Sequence, residues 1–231
     1  QPFETSKYNI AIESLIECLP RALSDAFPQS KRSSAELICL LGRLAPYLTR
    51  LHFRPLARGI ASNCAHQHSK TRSLSLKALA SILCNVTEDF DAVMGKSHAP
   101  GADGDGGGAG ERSVAEDFYG GLNGAGSSGS GPSPAVSKTG GGTSKKIDLT
   151  VLFHKLLADQ NANVRRELCY LCSAVMKVRY TRYPVQRGAY VTSHAELELC
   201  LLLLLLCGDE VAEVREAAFV ALEEGSRAWA P

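Results

Sequence analysis

One stretch of this chain occurs twice, and the repetition limits the folds that the chain can adopt. The segment LLADQNANVRRELCYLC, from Leu156 to Cys172, is matched by LCGDEVAEVREAAFVAL, from Leu206 to Leu222. In both copies an apolar run ends in a polar turn with an aspartate, and Val-Arg then opens a second amphipathic run. A supersecondary unit that recurs at a fixed distance is typical of repeat proteins, whose units bury their apolar faces against their neighbours. The sequence therefore predicts an all-α fold, an α-solenoid of stacked helical hairpins.

Two further hairpins are predicted in the first part of the chain. Apolar residues separated by three and four positions lie on one face of a helix. The first hairpin combines a helix over 8–27 with a second helix that Ser33 or Ser34 caps. The second hairpin covers 52–86, and a short amphipathic extension follows over 90–94.

The last two hairpins contain the duplicated stretch. The third begins at about residue 146, and its second helix carries apolar residues from Val164 to Val178. A connector rich in Tyr and Arg covers 179–190, where Pro184 interrupts any helix. Helices over 195–207 and 212–228 form the fourth hairpin. Because the first of these is almost entirely leucine, we expect it to pack against neighbours on several sides.

A change of composition separates the two pairs of hairpins. Most of the chain's 21 glycines lie between residues 95 and 142, together with Ser, Pro and Ala. Such a segment buries too little apolar surface to offset the entropy lost on ordering. We predict helical repeats over 1–95, a disordered Gly/Ser-rich insertion over 96–146, and helical repeats over 147–231. The motif VAEDFYGGL at 114–122 is interpreted as spacer rather than as a binding motif.

The charge balance indicates that other proteins are the partners. The 25 basic and 24 acidic residues give a net charge of +1, which does not favour binding to nucleic acid through its phosphates. The longest apolar run, Leu199 to Cys207, is much shorter than the roughly 20 residues of a membrane-spanning helix. Because the chain starts with Gln1 and shows no secretory signal, we expect a fragment or a processed chain in the cytoplasm.

Cysteine and histidine motifs offer alternatives with enzyme or metal chemistry. Cys169 and Cys172 form a CxxC pair, but no second pair stands at zinc-ligand spacing, and both lie on the apolar face of a predicted helix. His66 and His68 flank Gln67 in a turn without accompanying carboxylates or cysteines. The run GGGTSKK at 140–146 lacks the order of a phosphate-binding loop. We expect no metal, no cofactor, no small-molecule substrate and no catalytic residue.

Four charged residues recur in register and are the strongest candidates for a site. Asp159 and Arg165 are repeated as Asp209 and Arg215, and Arg72 stands in the same register in the second hairpin. One hypothesis makes them a binding surface. The favoured hypothesis makes them a structural ladder, in which an aspartate in one turn binds an arginine at the start of a neighbouring helix.

These features resemble the HEAT-repeat family, most specifically in the last two hairpins. Within that family, the sequence looks most like the axonemal dynein assembly factors of the HEAT repeat-containing protein 2 group. The resemblance rests on AHQHSKTRSLSLKAL at 65–79, on RYTRYP in the connector, and on LLLLLLCGDEVAEVREAAFVALEEGSRAW, which ends at Trp229. Ala212 stands where that group is expected to have proline, and the Gly-rich insertion is not part of its pattern.

The resemblance implies a cytoplasmic, non-enzymatic scaffold that takes part in the preassembly of dynein arms for cilia or flagella. Its partners would be dynein chains, chaperones or other assembly factors. The alternative is a general HEAT-repeat adaptor, such as a nuclear transport receptor or a phosphatase scaffold. An enzyme would have to depend on the cysteines or histidines.

We predict that the insertion is dispensable for folding. Replacing 96–146 with a short Gly/Ser linker should leave the melting temperature nearly unchanged, because loop-closure entropy changes by only about 0.6 kcal/mol per doubling of length. Thermal unfolding followed by circular dichroism measures this. A large loss of stability would show that the insertion packs on the solenoid.

Overall fold

The structure is a computed structural model that describes residues 2–86, 90–94, 148–182 and 193–229. Within these ranges the chain forms helices, turns and bends without any β-strand. The described residues belong to one compact unit that spans 1–97 and 146–231. The predicted insertion over 96–146, including its motif at 114–122, and most of the connector lie outside the described residues.

Ten helices occur in the described ranges and give the four predicted hairpins. They are α1 (Pro2–Leu23), α2 (Pro28–Leu44), α3 (Pro46–Leu51), α4 (Phe53–Asn63), α5 (Ser69–Leu83), α6 (Phe90–Met94), α7 (Leu149–Leu157), α8 (Ala162–Arg182), α9 (His194–Leu206) and α10 (Ala212–Trp229). The hairpins are α1–α2, α4–α5, α7–α8 and α9–α10. The prediction of an all-α solenoid is confirmed.

The first turn differs from its prediction in both flanking helices. Helix α1 ends at Leu23 instead of Phe27, because Asp25 accepts a hydrogen bond from the Phe27 N–H at 3.0 Å and forms a local turn. Helix α2 then begins at Pro28, whose fixed φ suits the first helical position. The predicted serine cap is wrong, since Ser34 lies buried inside α2 and donates to the Ser30 carbonyl at 2.7 Å.

Later boundaries follow the sequence more closely. Helix α8 continues to Arg182, so the predicted connector begins some residues too early. The short extension is helix α6, and the Thr150 hydroxyl of α7 donates to the Met94 carbonyl at its end, at 3.2 Å. Helix α3 is an additional short helix between the first and second hairpins, and it was not predicted from the sequence.

The second helices of the hairpins carry the stack. They pack in the order α2, α5, α8 and α10, while α1 packs on α4 and α7 packs on α9. One apolar core runs through all four hairpins and includes the completely buried Ile38, Leu76, Leu168 and Val214, one from each of these helices. A shared core of this kind makes the stability of each hairpin depend on its neighbours.

Close contact between α2 and α5 requires glycine at position 42. A Cβ atom on Gly42 would lie 2.0 Å from the Ser81 Oγ and 3.1 Å from the Ser81 Cβ. Rotating the hydroxyl away would remove its hydrogen bond to the Cys39 carbonyl and would leave the Cβ contact in place. Gly208, in the turn before α10, has no such neighbour, since its nearest atom would lie at 3.4 Å.

We therefore predict opposite effects for two glycine substitutions. Gly42→Ala should lower the free energy of unfolding by about 1–3 kcal/mol, the usual cost of overpacking. Gly208→Ala is the matched control and should be neutral or slightly stabilising, because alanine reduces the entropy of the unfolded chain. Urea unfolding of both variants tests this, and equal stability of the two would contradict the close packing of α2 on α5.

Candidate functional site

A buried ion pair joins the third hairpin to the fourth. The Arg165 Nε donates to the Asp209 Oδ2 at 2.6 Å, and its Nη2 donates to the Asp209 Oδ1 at 2.8 Å. Both side chains are only 6% exposed. The third nitrogen, Nη1, donates to the backbone carbonyl of Asp159. The planar guanidinium thus uses both edges, one for the next hairpin and one for its own turn.

The same arrangement joins the second hairpin to the third. The Arg72 Nε and Nη2 donate to the Asp159 carboxylate at 2.6 and 2.7 Å, and Nη1 donates to the His66 carbonyl at 2.7 Å. Arg72 was recognised in register from the sequence, but its acid was not identified. The available signal was the spacing of six residues from the turn to the arginine, which is the same in 66–72 as in 159–165 and places Arg72 and Arg165 at the same helix position.

Both aspartates are held by their own turns. The Asp159 Oδ1 accepts from the Asn161 N–H, and the Asp209 Oδ1 accepts from the Val211 N–H, each at 2.9 Å. This hydrogen bond from the backbone N–H two residues later holds the carboxylate in the orientation in which the arginine binds it. It explains why the turn needs Asp, whose short side chain reaches its own backbone.

The junction between the first two hairpins has a different chemistry. His66 occupies the aspartate position, and its Nδ1 accepts from the His68 N–H at 3.1 Å, as the aspartates do from their turns. Burial, followed by the charge of Lys31, lowers the pKa of His66. Asn85 supplies part of the connection instead, because its Nδ2 donates to the Gly42 carbonyl at 2.8 Å.

Arg215 forms no ion pair with the carboxylate of Asp209 or of Asp159. Its Nη1 donates to the carbonyls of Asp209 and Glu210 at 2.7 and 3.0 Å, which reproduces the contact that Arg165 makes within its own turn. The structure therefore brings Arg165 to Asp209 and Arg72 to Asp159, and each of these two arginines binds the acid of the following hairpin. We propose that these pairs are structural, because their side chains are withdrawn from solvent.

A further ion pair between hairpins, which joins α8 to α9, was not predicted from the sequence. Arg179 donates to Glu196 at 2.8 Å, while the guanidinium lies 4.4 Å from the Phe90 ring centroid. Glu196 also completes a capping box with Ser193 at the start of α9. Glu196 is only 7% exposed and therefore does not belong to a solvated helix face. The pattern Ser-x-x-Glu before the leucine run was the signal for the cap.

The cysteines lie in or against the apolar core, apart from the exposed Cys18. Cys169 and Cys172 are fully buried, which confirms their interpretation as core residues. Burial raises the pKa of the Cys169 thiol to about 12, and it raises the pKa of Cys172 as well. Such thiols are poor nucleophiles at neutral pH, because the thiolate is the reactive form.

One group of potential metal ligands was not anticipated. In the described part of the chain, ligand atoms of Glu13, Glu17 and His52 lie within 4.8 Å of one another. The His52 Nε2 lies 3.7 Å from the Glu13 Oε1, which is the closest approach of the histidine to a carboxylate in this group. Glu17 is exposed. This geometry is typical of a weak ion pair at a protein surface.

The fourth hairpin presents an apolar surface, defined here as the outer face. It consists of Leu197, Leu201, Leu204 and Leu205 of α9 with Phe219 and Val220 of α10, each 44–60% exposed. Helix α9 packs against α6, α7, α8 and α10, in agreement with the expectation of neighbours on several sides, and only the face that carries these four leucines is exposed. Exposed apolar patches of this kind mark protein interaction sites.

The two arginines of the last hairpins should contribute unequally to stability. Arg165→Ala should cost about 3 kcal/mol, because the Asp209 carboxylate would stay buried without its partner. Arg215→Ala should cost less than about 1 kcal/mol, since it removes bonds to partly solvated carbonyls. Double-mutant cycles with Asp209→Ala, followed by urea unfolding, should show coupling for Arg165 and almost none for Arg215. Equal costs would contradict the structural role of the pair.

Acid should weaken the same interaction. Hydrogen bonds from Arg165, assisted by the Val211 N–H, lower the pKa of Asp209 from its ordinary value of 3.8. Its contribution to the free energy of unfolding is therefore complete above about pH 4 and is lost as the pH falls through the folded-state pKa. Asp209→Asn should reduce this acid-dependent loss, whereas Glu223→Gln, at an exposed carboxylate, should leave it nearly unchanged. Unfolding measured from pH 5 to pH 2 compares the variants.

In the described ranges, no helix is both long enough and apolar enough to cross a membrane. Residues 3–96 match a family described as Dynein axonemal assembly factor 5-like, TPR repeats. No curated protein and no solved structure matches the chain. HEAT and TPR repeats are both stacked pairs of helices, so the match agrees with the observed architecture. The chain is thus a helical-repeat protein whose residues 3–96, which contain the first two hairpins and α6, are similar to that family.

Proposed function

We propose that this chain is a non-enzymatic, cytoplasmic scaffold for the preassembly of axonemal dynein arms. The observation that carries the proposal is the match of residues 3–96 to the assembly-factor family. It would hold dynein chains, chaperones or other assembly factors while the arms are put together for cilia or flagella. Assignment to the HEAT repeat-containing protein 2 group is part of the same proposal.

The packing of the hairpins supports an extension of this role beyond the matched residues. Arg72 of the second hairpin binds Asp159 of the third, and helix α5 packs on α8. The matched hairpins and the last two hairpins therefore share one core and are joined by the ion pairs Arg72–Asp159 and Lys77–Glu167. A scaffold needs such rigidity, because partners held on different hairpins keep a fixed separation only if the hairpins do.

The chemistry of the described surfaces also fits protein binding. Among the described residues, most of the exposed large apolar side chains belong to the first and fourth hairpins, and the net charge of the chain is close to zero. Apolar patches framed by charged groups favour contact with other proteins over contact with nucleic acid. The four residues proposed as structural, Asp159, Arg165, Asp209 and Arg215, would serve the fold of the scaffold.

Affinity purification from a ciliated cell tests the proposal. Tagged chain should enrich dynein heavy and intermediate chains together with chaperones, relative to the tag alone. Phe153→Ala provides a control for folding, because it removes a completely buried ring and should cost about 3–5 kcal/mol. Dynein chains captured equally by this destabilised variant would indicate nonspecific binding.

The alternative function predicts different co-purifying proteins. Enrichment of Ran or of phosphatase subunits, without dynein chains, would contradict the assembly role and favour a general HEAT-repeat adaptor. Imaging of the tagged chain adds a second readout, since a preassembly factor should be found in the cell body cytoplasm rather than along the axoneme.

A further inference from the structure

The junction between the first two hairpins lacks the acid that the other two junctions have. In each of the four turns, six residues separate the first turn position from a basic residue, over 25–31, 66–72, 159–165 and 209–215. At the second and third junctions, the basic residue of one hairpin binds the aspartate of the following hairpin. At the first junction the same register pairs Lys31 with His66, and neither of them is an acid.

The His66 imidazole is a hydrogen-bond donor at this junction. Its Nδ1 accepts from the His68 N–H at 3.1 Å, which holds the ring in its turn as the aspartates are held in theirs. Because a ring nitrogen that accepts carries no proton, the proton of the neutral imidazole lies on Nε2. The turn position that accepts hydrogen bonds from an arginine at the other junctions therefore offers a donor here.

Several basic side chains surround His66. Burial, and next the charge of Lys31, lower the pKa of His66, so the ammonium group lies close to the imidazole. The charges that follow in strength are those of His68, Arg72 and Arg32, which are all basic. Arg72 already has a carboxylate partner in the third hairpin. The remaining four residues, Lys31, Arg32, His66 and His68, are defined here as the basic cluster.

The two strongest bases of the cluster have no partner among the described residues. Neither the Lys31 ammonium nor the Arg32 guanidinium forms a hydrogen bond or an ion pair there. The Arg32 Nε is buried from solvent without an acceptor, which costs free energy. Lys31, Arg32 and His66 are half-buried and His68 is exposed, so an anion can reach the cluster. The first junction thus has a surplus of donors and lacks an acceptor.

From these observations we propose that the basic cluster binds an acidic segment of a partner protein. One carboxylate of the segment accepts from the Lys31 ammonium and from the His66 Nε2–H, in place of the aspartate that the other junctions carry. A neighbouring carboxylate binds Arg32, since a guanidinium and a carboxylate form strong charge-assisted hydrogen bonds. The proposal rests on the proposed function only in taking the carboxylates from a protein.

Fluorescence anisotropy of a labelled hexaglutamate peptide, titrated with the whole chain, tests the proposal. We expect saturable binding that weakens as the salt concentration rises. Lys31→Gln should raise the dissociation constant about tenfold, because it removes a charge-assisted hydrogen bond. Arg54→Gln removes the same charge at an exposed position of α4 and is the matched control, which should bind like the unaltered chain. Equal losses in the two variants would show nonspecific attraction and overturn the proposal.

His66→Asp provides a second test, because it supplies the missing carboxylate within the chain. This variant should no longer bind the peptide, and its melting temperature should rise by about 2–4 °C through a new ion pair with Lys31. The rise should be smaller in a chain that also carries Lys31→Gln. Circular dichroism should show the same helix content in each variant. Peptide binding that His66→Asp leaves unchanged, or a melting temperature that does not depend on Lys31, would overturn the proposal.

Inorganic phosphate is the competing probe, since a phosphate group would meet the same donors. It should displace the peptide only at much higher concentrations than the peptide's own dissociation constant, because one small anion contacts fewer of the four side chains. Displacement at lower concentrations would assign the cluster to phosphate and overturn the proposal, as would the absence of peptide binding at low salt. Dynein capture from the ciliated cell is a separate measurement. Peptide binding without dynein capture contradicts only the proposed function, and dynein capture without peptide binding contradicts only the acidic-segment site.

Discussion

A bidentate arginine–aspartate pair, closed off from water, is the interaction on which the order of the last three hairpins depends. Taking both charges out of solvent is costly, and that cost is recovered only when the geometry satisfies nearly every donor and acceptor. Arg165 meets this condition because its two edges bind the Asp209 carboxylate and the Asp159 carbonyl. Lysine could not replace it, since an ammonium group lacks the planar fork that spans both contacts. The pair thus selects one register for stacking, whereas apolar burial is nondirectional.

The first junction shows that the stack does not need this pair everywhere. His66 keeps the turn of an aspartate but carries no negative charge, and neutral amides take over the connection. Asn63 donates to the Leu23 carbonyl at 2.9 Å, and Asn85 reaches Gly42 and Thr49. Buried amides can satisfy backbone carbonyls without the desolvation of a full charge. The hairpins therefore share one architecture while the polar chemistry between them varies.

This arrangement bears directly on the proposed function. The match to the assembly-factor family ends at position 96, yet the core and the Arg72–Asp159 pair continue into the third hairpin. A rigid stack of hairpins holds bound proteins at fixed positions. Its buried cysteines have raised pKa values, which suppress their reactivity as nucleophiles. The proposed function then depends on exposed surfaces, and among the described residues most of the exposed large apolar side chains belong to the first and fourth hairpins.

The sequence by itself determined the helical hairpins, their number and the register of the charged residues, because a fixed periodicity and a recurring Asp-to-Arg spacing are local properties. It did not determine which acid each arginine binds, since Asp209 lies in sequence between two candidate arginines and only stacking brings Arg165 to its carboxylate. The burial of Glu196 was not predicted for the same reason, because its partner Arg179 belongs to another hairpin. The leucine-rich helix α9 also shows this limit. Its composition indicates an apolar environment, but the tertiary structure decides which of its faces has a neighbour, and four of its leucines remain exposed.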